Sequence, residues 1–267
     1  MEHQNKYALV TGASSGIGWH ISEVLAKRGY HIIAVSNRPD QLENLKSQLE
    51  QAYPVTVSLF QYDLAQEDAA AQVFAFCEKQ QVDVEVLVNN AGMLIFGENM
   101  QVEYPQTKHI LYLHMVTPVL LCRLFGEKMA KERKGFILNI SSISAVMPYP
   151  GISLYGPTKA FLRFFTRAIR TELKYYGVKV TCLIPGATAT ALFEPYRINI
   201  PLLTTLGVFK PPFTVAQAGV KALFKGRAES IPGCLNKFIV WFFPFIPQAL
   251  ISLIYRKTNW VKKSAPY

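Results

Sequence analysis

The stretch TGASSGIG, Thr11–Gly18, follows the strand-like run Tyr7–Thr11 and opens into the amphipathic run Ile17–Arg28. Its glycines, Gly12, Gly16 and Gly18, follow a GxxxGxG spacing. Glycine permits the tight turn and lets the backbone approach a pyrophosphate with no Cβ in the way. The helix start beyond it offers unpaired N–H groups and a positive dipole end to the phosphates. A glycine-rich turn alone is weak evidence, but between a strand and a helix at the head of a βαβ pattern it is much stronger evidence for a dinucleotide site, its alternative a merely structural turn.

Outward from this turn, short apolar runs alternate with longer amphipathic ones. Tyr7–Thr11, Ile32–Ser36, Val55–Tyr62, Val86–Asn89, Gly135–Ser141 and Lys179–Ile184 read as strands. Most are near-continuous apolar runs, as in parallel strands covered on both faces. Ile17–Arg28, Pro39–Tyr53, Ala65–Gln81, Lys108–Lys134 and Ser153–Gly177 read as helices, with Gly29 and Gly177 as stop signals. The alternation predicts an α/β, Rossmann-like doubly wound parallel sheet with helices on both faces. The 267 residues suffice for one large domain, residues 1–267, with a distinct apolar and basic extension over 235–267.

Half of the residues are hydrophobic and 17% are charged, which excludes a disordered chain. Cys77, Cys122, Cys182 and Cys234 are scattered in apolar contexts. They read as buried free thiols, and no disulfide frame or metal site is indicated. The opening MEHQNKYALV lacks a signal peptide's apolar core, so a cytoplasmic, reducing location is expected. The net charge of +10 is concentrated late: Lys221–Tyr267 holds eight Lys/Arg against one acid, Glu229.

The end of the second strand reads AVSNRPD, with Ser36, Asn37 and Arg38 where an acid would select a ribose 2′-hydroxyl. Arg and small polar groups accept a 2′-phosphate, so NADP is favoured and NAD is the alternative. Arg38 could equally be a solvated residue at the helix start. Asp63 either binds the adenine edge or N-caps the next helix. Farther along, Ser142 precedes Tyr155 by thirteen residues, and Lys159 lies one helical turn after it. Tyr and Lys at i and i+4 share a helix face, either as an acid–base device or as a plain surface pair.

TGASSGIG, NNAG at Asn89–Gly92, then Ser142, Tyr155 and Lys159, then PGATAT at Pro185–Thr190, together resemble the short-chain dehydrogenase/reductase family in order and spacing. The resemblance implies a sheet of about seven strands, a nicotinamide cofactor, hydride transfer between that cofactor and a carbonyl or alcohol, and a homo-oligomer. The residues that would hold the cofactor are Gly12, Ser14, Ser15, Gly16, Ile17 and Gly18 in the turn, then Asn37, Arg38 and Asp63. Asn89, Ala91 and Gly92 follow, then Tyr155 and Lys159, then Pro185, Gly186, Thr188 and Thr190. Tyr155 would donate the proton, Lys159 would lower the phenol's ordinary pKa of about 10, and Ser142 would hydrogen-bond the substrate oxygen.

Two positions depart from the family pattern. His114, in LHMVTP, stands where an Asn usually holds a relay water. A ring nitrogen could hold that water, or His114 could be a satisfied core histidine. Pro157 falls inside the Tyr155–Lys159 interval, near the helix start, where a missing N–H is tolerated.

Ala191–Pro212, rich in Pro, Leu and Thr, is a candidate substrate lid, its alternative an ordinary long loop. Phe238–Ile254 has only Gln248 and Ser252 as clearly polar members and is broken by Pro244 and Pro247. This is too short for a simple span and suits either an interfacial membrane contact or packing on the domain. With such a lid and tail, a large hydrophobic ketone, a long-chain 3-oxo lipid or a steroid, is the expected partner. No nucleic acid is expected, because the tail's aromatics form one apolar run. The alternative to an enzyme is a non-catalytic NADP-sensing protein on the same fold.

Overall fold

The computed structural model describes residues 6–147, 149–190 and 209–258. The strands are β1 (Lys6–Thr11), β2 (His31–Ser36), β3 (Val57–Gln61), β4 (Asp83–Asn89), β5 (Gly135–Ile140), β6 (Val178–Leu183) and β7 (Glu229–Ser230). All pair in parallel, in the order β3-β2-β1-β4-β5-β6-β7. The chain reverses its direction of winding between β1 and β4, and a crevice opens there at the carboxyl ends of the strands.

The helices among the described residues are α1 (Gly16–Ala26), α2 (Pro39–Ala52), α3 (Ala69–Lys79), α4 (Tyr104–Leu111), α5 (Thr117–Lys131), α6 (Tyr155–Lys174), α7 (Pro212–Phe224), α8 (Cys234–Phe242) and α9 (Gln248–Thr258). Strand periodicity sorts the core into two layers. Ala8, Val10, Ile32, Ala34, Val86 and Val88 face α1, α2 and α7, where Ile21, Leu45 and Val220 meet them. Leu9, Ile33, Val35 and Leu87 face the other way, onto Val73 of α3 and Phe125 of α5, with Ile169 of α6 beside them. Strands β1, β2 and β4 are therefore apolar on both faces, as the continuous runs imply.

Several boundaries differ from the sequence reading. The third strand shortens to Val57–Gln61, and α3 begins at Ala69 rather than Ala65. The helix expected from Lys108 begins at Tyr104, with Pro105 in its first turn. It is widened by a π turn at Tyr112–Val116, just before Pro118. Proline has no N–H to donate to the carbonyl four residues back, here that of His114, and its ring crowds that carbonyl, so the turn opens. Cys77, Cys122 and Cys182 are buried, but Cys234 is exposed at the start of α8, contrary to the expectation of a buried thiol. The first lid residues, 191–208, lie outside the described residues. On either side of them the chain is tied together, Thr188 bridging Lys210.

Candidate active site

The glycine turn is built by backbone. Gly12 and Gly16 adopt φ of +63° and +57°, a region where an L side chain is strained. A Cβ on Gly18 would overlap the Gly12 carbonyl and the Asn90 amide. Thr11 joins the turn to β4: its hydroxyl donates to Val88 O (3.1 Å) and accepts from the N–H groups of Asn90 and Ala91. Asn90 Nδ2 then donates to the carbonyls of Thr11 and Gly12. Ser15 leads α1 without a side-chain cap, so the first-turn N–H groups remain for an external acceptor. This bare, donor-rich cradle fits a pyrophosphate.

Beyond it the cleft runs past the ends of β2 and β3. Ser14 Oγ and Ser36 Oγ are 2.8 Å apart, and Ser36 Oγ accepts from Arg38 N. Arg38 is exposed and lines the cleft with Asn37. Asp63 lines it too. It does not cap α3, which begins six residues later at Ala69: its carboxylate accepts from Ala65 N (3.0 Å) and lies 4.0 Å from His109 Nε2.

At the other end α6 supplies Tyr155 and Lys159, both lining the cleft. Pro157 occupies the first turn of α6, where it costs no intrahelical bond. Lys159 is 4% exposed, and its Nζ donates to Ile140 O (3.1 Å) and lies 5.8 Å from the Tyr155 ring centroid. Burial of the ammonium pulls its pKa down to about 8. Burial also pushes the Tyr155 phenol up, while its hydrogen bond with Ser142 works in the opposite direction. The lowering expected from Lys159 does not appear: desolvation of the phenolate dominates, and Ser142 is what opposes it. Ser142 is fixed by accepting from Ser144 N (3.2 Å). The neighbouring Ser141 is engaged elsewhere, donating to Lys159 O (2.7 Å).

His114 is 1% exposed and stands edge-on to Tyr155, ring centroids 5.6 Å apart. Its Nε2 accepts from Met93 N (3.0 Å) and its Nδ1 meets Thr158 Oγ1 (2.9 Å), whose proton goes to Tyr155 O. These partners fix a neutral imidazole protonated at Nδ1. Burial, then the nearby Lys159 charge, lowers its pKa well below the usual value. Both ring nitrogens are engaged, so neither holds a water in this arrangement.

A family pattern, short chain dehydrogenase, matches residues 6–200. The chain belongs to the short-chain dehydrogenase family. It is similar to very-long-chain 3-oxoacyl-CoA reductase-A of Danio rerio, 32% identical over 193 residues, which are 70% of this chain and 59% of that protein. The match to human 17-beta-hydroxysteroid dehydrogenase type 3 is 27% over 245 residues, 91% of this chain and 78% of the other. The fold matches a short-chain dehydrogenase from Sphingobium yanoikuyae in complex with NADPH, with TM-score 0.78, 25% identity and coverage of 98% and 96%. It also matches the bulky-bulky ketone specific alcohol dehydrogenase from Comamonas testosteroni, with TM-score 0.75, 26% identity and coverage of 99% and 96%.

Within this dehydrogenase the sequence-derived site residues divide into two groups. Gly12, Ser14, Ser15, Ile17, Ala91, Gly92, Pro185 and Thr190 line the same cleft as Arg38 and Tyr155. Gly16 and Gly18 shape the turn from beneath. Ser142 stands behind this lining, and three further positions lie off it. Asn89 is buried away from the cleft, its Nδ2 donating to Asn139 Oδ1 (2.8 Å) and Cys122 Sγ, and Asn90 takes the place expected of it. Thr188 is buried and spends its hydroxyl on Gly186 O. Gly186 admits no Cβ because Asn236 of α8 packs against it, and it lies beside the cleft rather than on it.

Asn90, Met93, His109 and Leu113 line the cleft and escaped the sequence reading. Only Asn90 had a signal, the second asparagine of NNAG.

Proposed function

We propose that this chain is an NADP-dependent oxidoreductase that moves a hydride between the nicotinamide and a carbonyl or secondary alcohol, and that it reduces a hydrophobic ketone such as a long-chain 3-oxo lipid or a steroid-like compound. The observation that carries this reading is that Tyr155 and Lys159 line one end of a cleft whose other end is the glycine cradle, with Ser142 hydrogen-bonded to the Tyr155 phenol behind that lining. The short-chain dehydrogenase family binds nicotinamide cofactors. NADP rather than NAD is supported by Arg38 and by the absence of an acid at the end of β2. The names of the relatives, a very-long-chain 3-oxoacyl-CoA reductase and a hydroxysteroid dehydrogenase, support a lipidic substrate.

Bound in the cleft, the nicotinamide would supply the hydride. The chain's own residues would handle the oxygen. A phenol whose pKa is pushed up stays protonated near neutrality, so Tyr155 is a proton donor in reduction. Ser142, hydrogen-bonded to that phenol, would offer its hydroxyl to the substrate oxygen. Lys159 holds positive charge beside it below pH about 8. His114 would position Tyr155 through Thr158 instead of carrying protons. We place the enzyme in the cytoplasm at a membrane-peripheral position, as a homo-oligomer.

The test is NADPH oxidation against long-chain 3-oxo, steroid and small ketones, with Tyr155→Phe as the comparison. Loss of the phenolic proton is expected to lower kcat by about 10²–10⁴-fold. Equal turnover by wild type and variant would overturn the mechanism. NADPH binding with no turnover of any ketone would favour the non-catalytic sensing protein.

A further inference from the structure

The C-terminal hairpin, α8 and α9, has two unlike faces. On α8, Asn236 and Val240 point inward, one helical turn apart. Val240 packs with Cys182 and Ile184 at the end of β6, beside Ile143 and Val146 of the turn that begins at Ser142. Asn236 donates to Pro232 O (2.6 Å) and leans on Gly186. On α9, Tyr255 hydrogen-bonds Glu98, next to Gly97, whose N–H donates to Gly151 O (2.8 Å) in the loop leading to Tyr155. The inner face thus rests on the loops that carry the catalytic groups.

The outer face is large and apolar. Leu235, Phe238, Trp241, Phe242 and Phe245 are 61%, 54%, 72%, 57% and 81% exposed, at near-helical spacing. Leu250 and Leu253 continue it on α9. Contiguous exposed apolar surface of this kind marks a contact site. The chain bends by 108° between the two helices, and the basic residues Lys237, Arg256 and Lys257 flank them, with Lys262 and Lys263 following in sequence. A two-fold contact through this particular face would set its own basic rim, Lys237, Arg256 and Lys257, against itself. An anionic lipid surface instead receives the aromatics in its interface and the basic rim at its headgroups.

We propose that the outer face of α8 and α9 is an interfacial anchor for anionic bilayers, holding the catalytic loops beside the membrane so that apolar ketones reach Tyr155 from the lipid. The proposal deepens the membrane-peripheral reading above, and vesicle binding is read without turnover, so its failure leaves the hydride-transfer reading standing. The experiment mixes the full chain with vesicles of phosphatidylcholine alone and of phosphatidylcholine with phosphatidylserine, and measures sedimented protein. Wild type should partition onto the anionic vesicles, and a Phe238→Ser, Trp241→Ser, Phe245→Ser triple variant should partition at least about tenfold less. Raised salt should weaken wild-type binding. Lipids brominated near the headgroup should quench wild-type tryptophan emission, and a Trp241→Phe variant should lose most of that quenching while still binding.

Unchanged NADPH binding and turnover of a small water-soluble ketone by the triple variant would confirm that it folds. If it does not fold, Phe245→Ser alone, beyond the end of α8, and the quenching measurement serve instead. Equal partition of wild type and variants, or no uptake by anionic vesicles, overturns the anchor. So does a dimer that the triple variant loses while vesicles bind neither protein.

Discussion

The two ends of the cleft are built by different means. The phosphate end is made of backbone: left-handed glycines, an uncapped helix start, and a threonine hydroxyl tying two strand ends together. What matters there is the absence of side chains. The catalytic end is made of side chains converging from separate segments: His114 from a π turn, Ser142 after β5, and Tyr155 and Lys159 from α6. What matters there is burial and hydrogen-bond partners, which shift the proton affinities of Tyr155, Lys159 and His114. A backbone-built site should fail by steric overlap, all at once. A side-chain-built site should fail in graded steps, each with its own pH signature.

The largest effect is expected at the phosphate end. Gly18→Val would drive its side chain into the Gly12 carbonyl, and the cofactor-binding turn cannot keep its shape. NADPH affinity, measured by fluorescence titration, should fall at least about 100-fold, the cost of several kcal/mol of overpacking. Retained affinity would mean that the turn tolerates side chains as the catalytic end does, and the contrast would collapse.

Lys159 gives the next largest effect. Because burial holds its pKa near 8, the ammonium is lost as pH rises through that value. The pH profile of kcat/KM for ketone reduction should therefore fall above pH about 8. Lys159→Met should remove that limb along with about 10²-fold of the rate, within the range expected for an acid–base group. A limb that survives in Lys159→Met belongs to another group.

His114→Leu should be milder and differ in kind. It strands the Met93 N–H and deprives Thr158 of a partner, at a cost of about 1–3 kcal/mol. Thermal unfolding should show the loss, and kcat should drop, but the pH limbs should stay in place because the imidazole is already neutral. A shifted limb would restore the relay role for the ring. The smallest effect is expected at Arg38, an exposed residue. Arg38→Ala should weaken NADPH by about tenfold, the scale of one charge-assisted contact, and leave NADH nearly unchanged. Equal losses for both cofactors would remove the 2′-phosphate assignment.

The relation of sequence to structure follows the same division. The doubly wound sheet was legible because strands covered on both faces must be apolar throughout, a local pattern that survives in one dimension. TGASSGIG was legible because a turn without side chains is written as glycine. The serine was legible by its spacing to Tyr155, and the phenol does meet Ser142 and not Ser141. The two asparagines of NNAG were not separable. At the end of β4 neighbouring side chains point to opposite sides, and the sequence does not say that Asn89 enters the core beside Asn139 while Asn90 turns to the glycines. Strand β7, Glu229–Ser230, is too short to carry a period, and Cys234 sits in an apolar stretch whose outward face only the packing of α8 defines.

By itself, then, the sequence determined the layered α/β architecture and the glycine turn, and it set the spacing at which Ser142, Tyr155 and Lys159 come together, because each is encoded in residues close along the chain or in a strict period. Tertiary structure alone decided that His114 is a satisfied neutral ring, that burial dominates at the Tyr155 phenol, and that α8 leans on Gly186. Its partners at Met93 and Thr158 lie 21 and 44 residues away from His114, and Asn236 reaches back fifty residues to Gly186. Desolvation and contact of this range depend on which surfaces meet when the sheet closes its layers, and no local pattern records them.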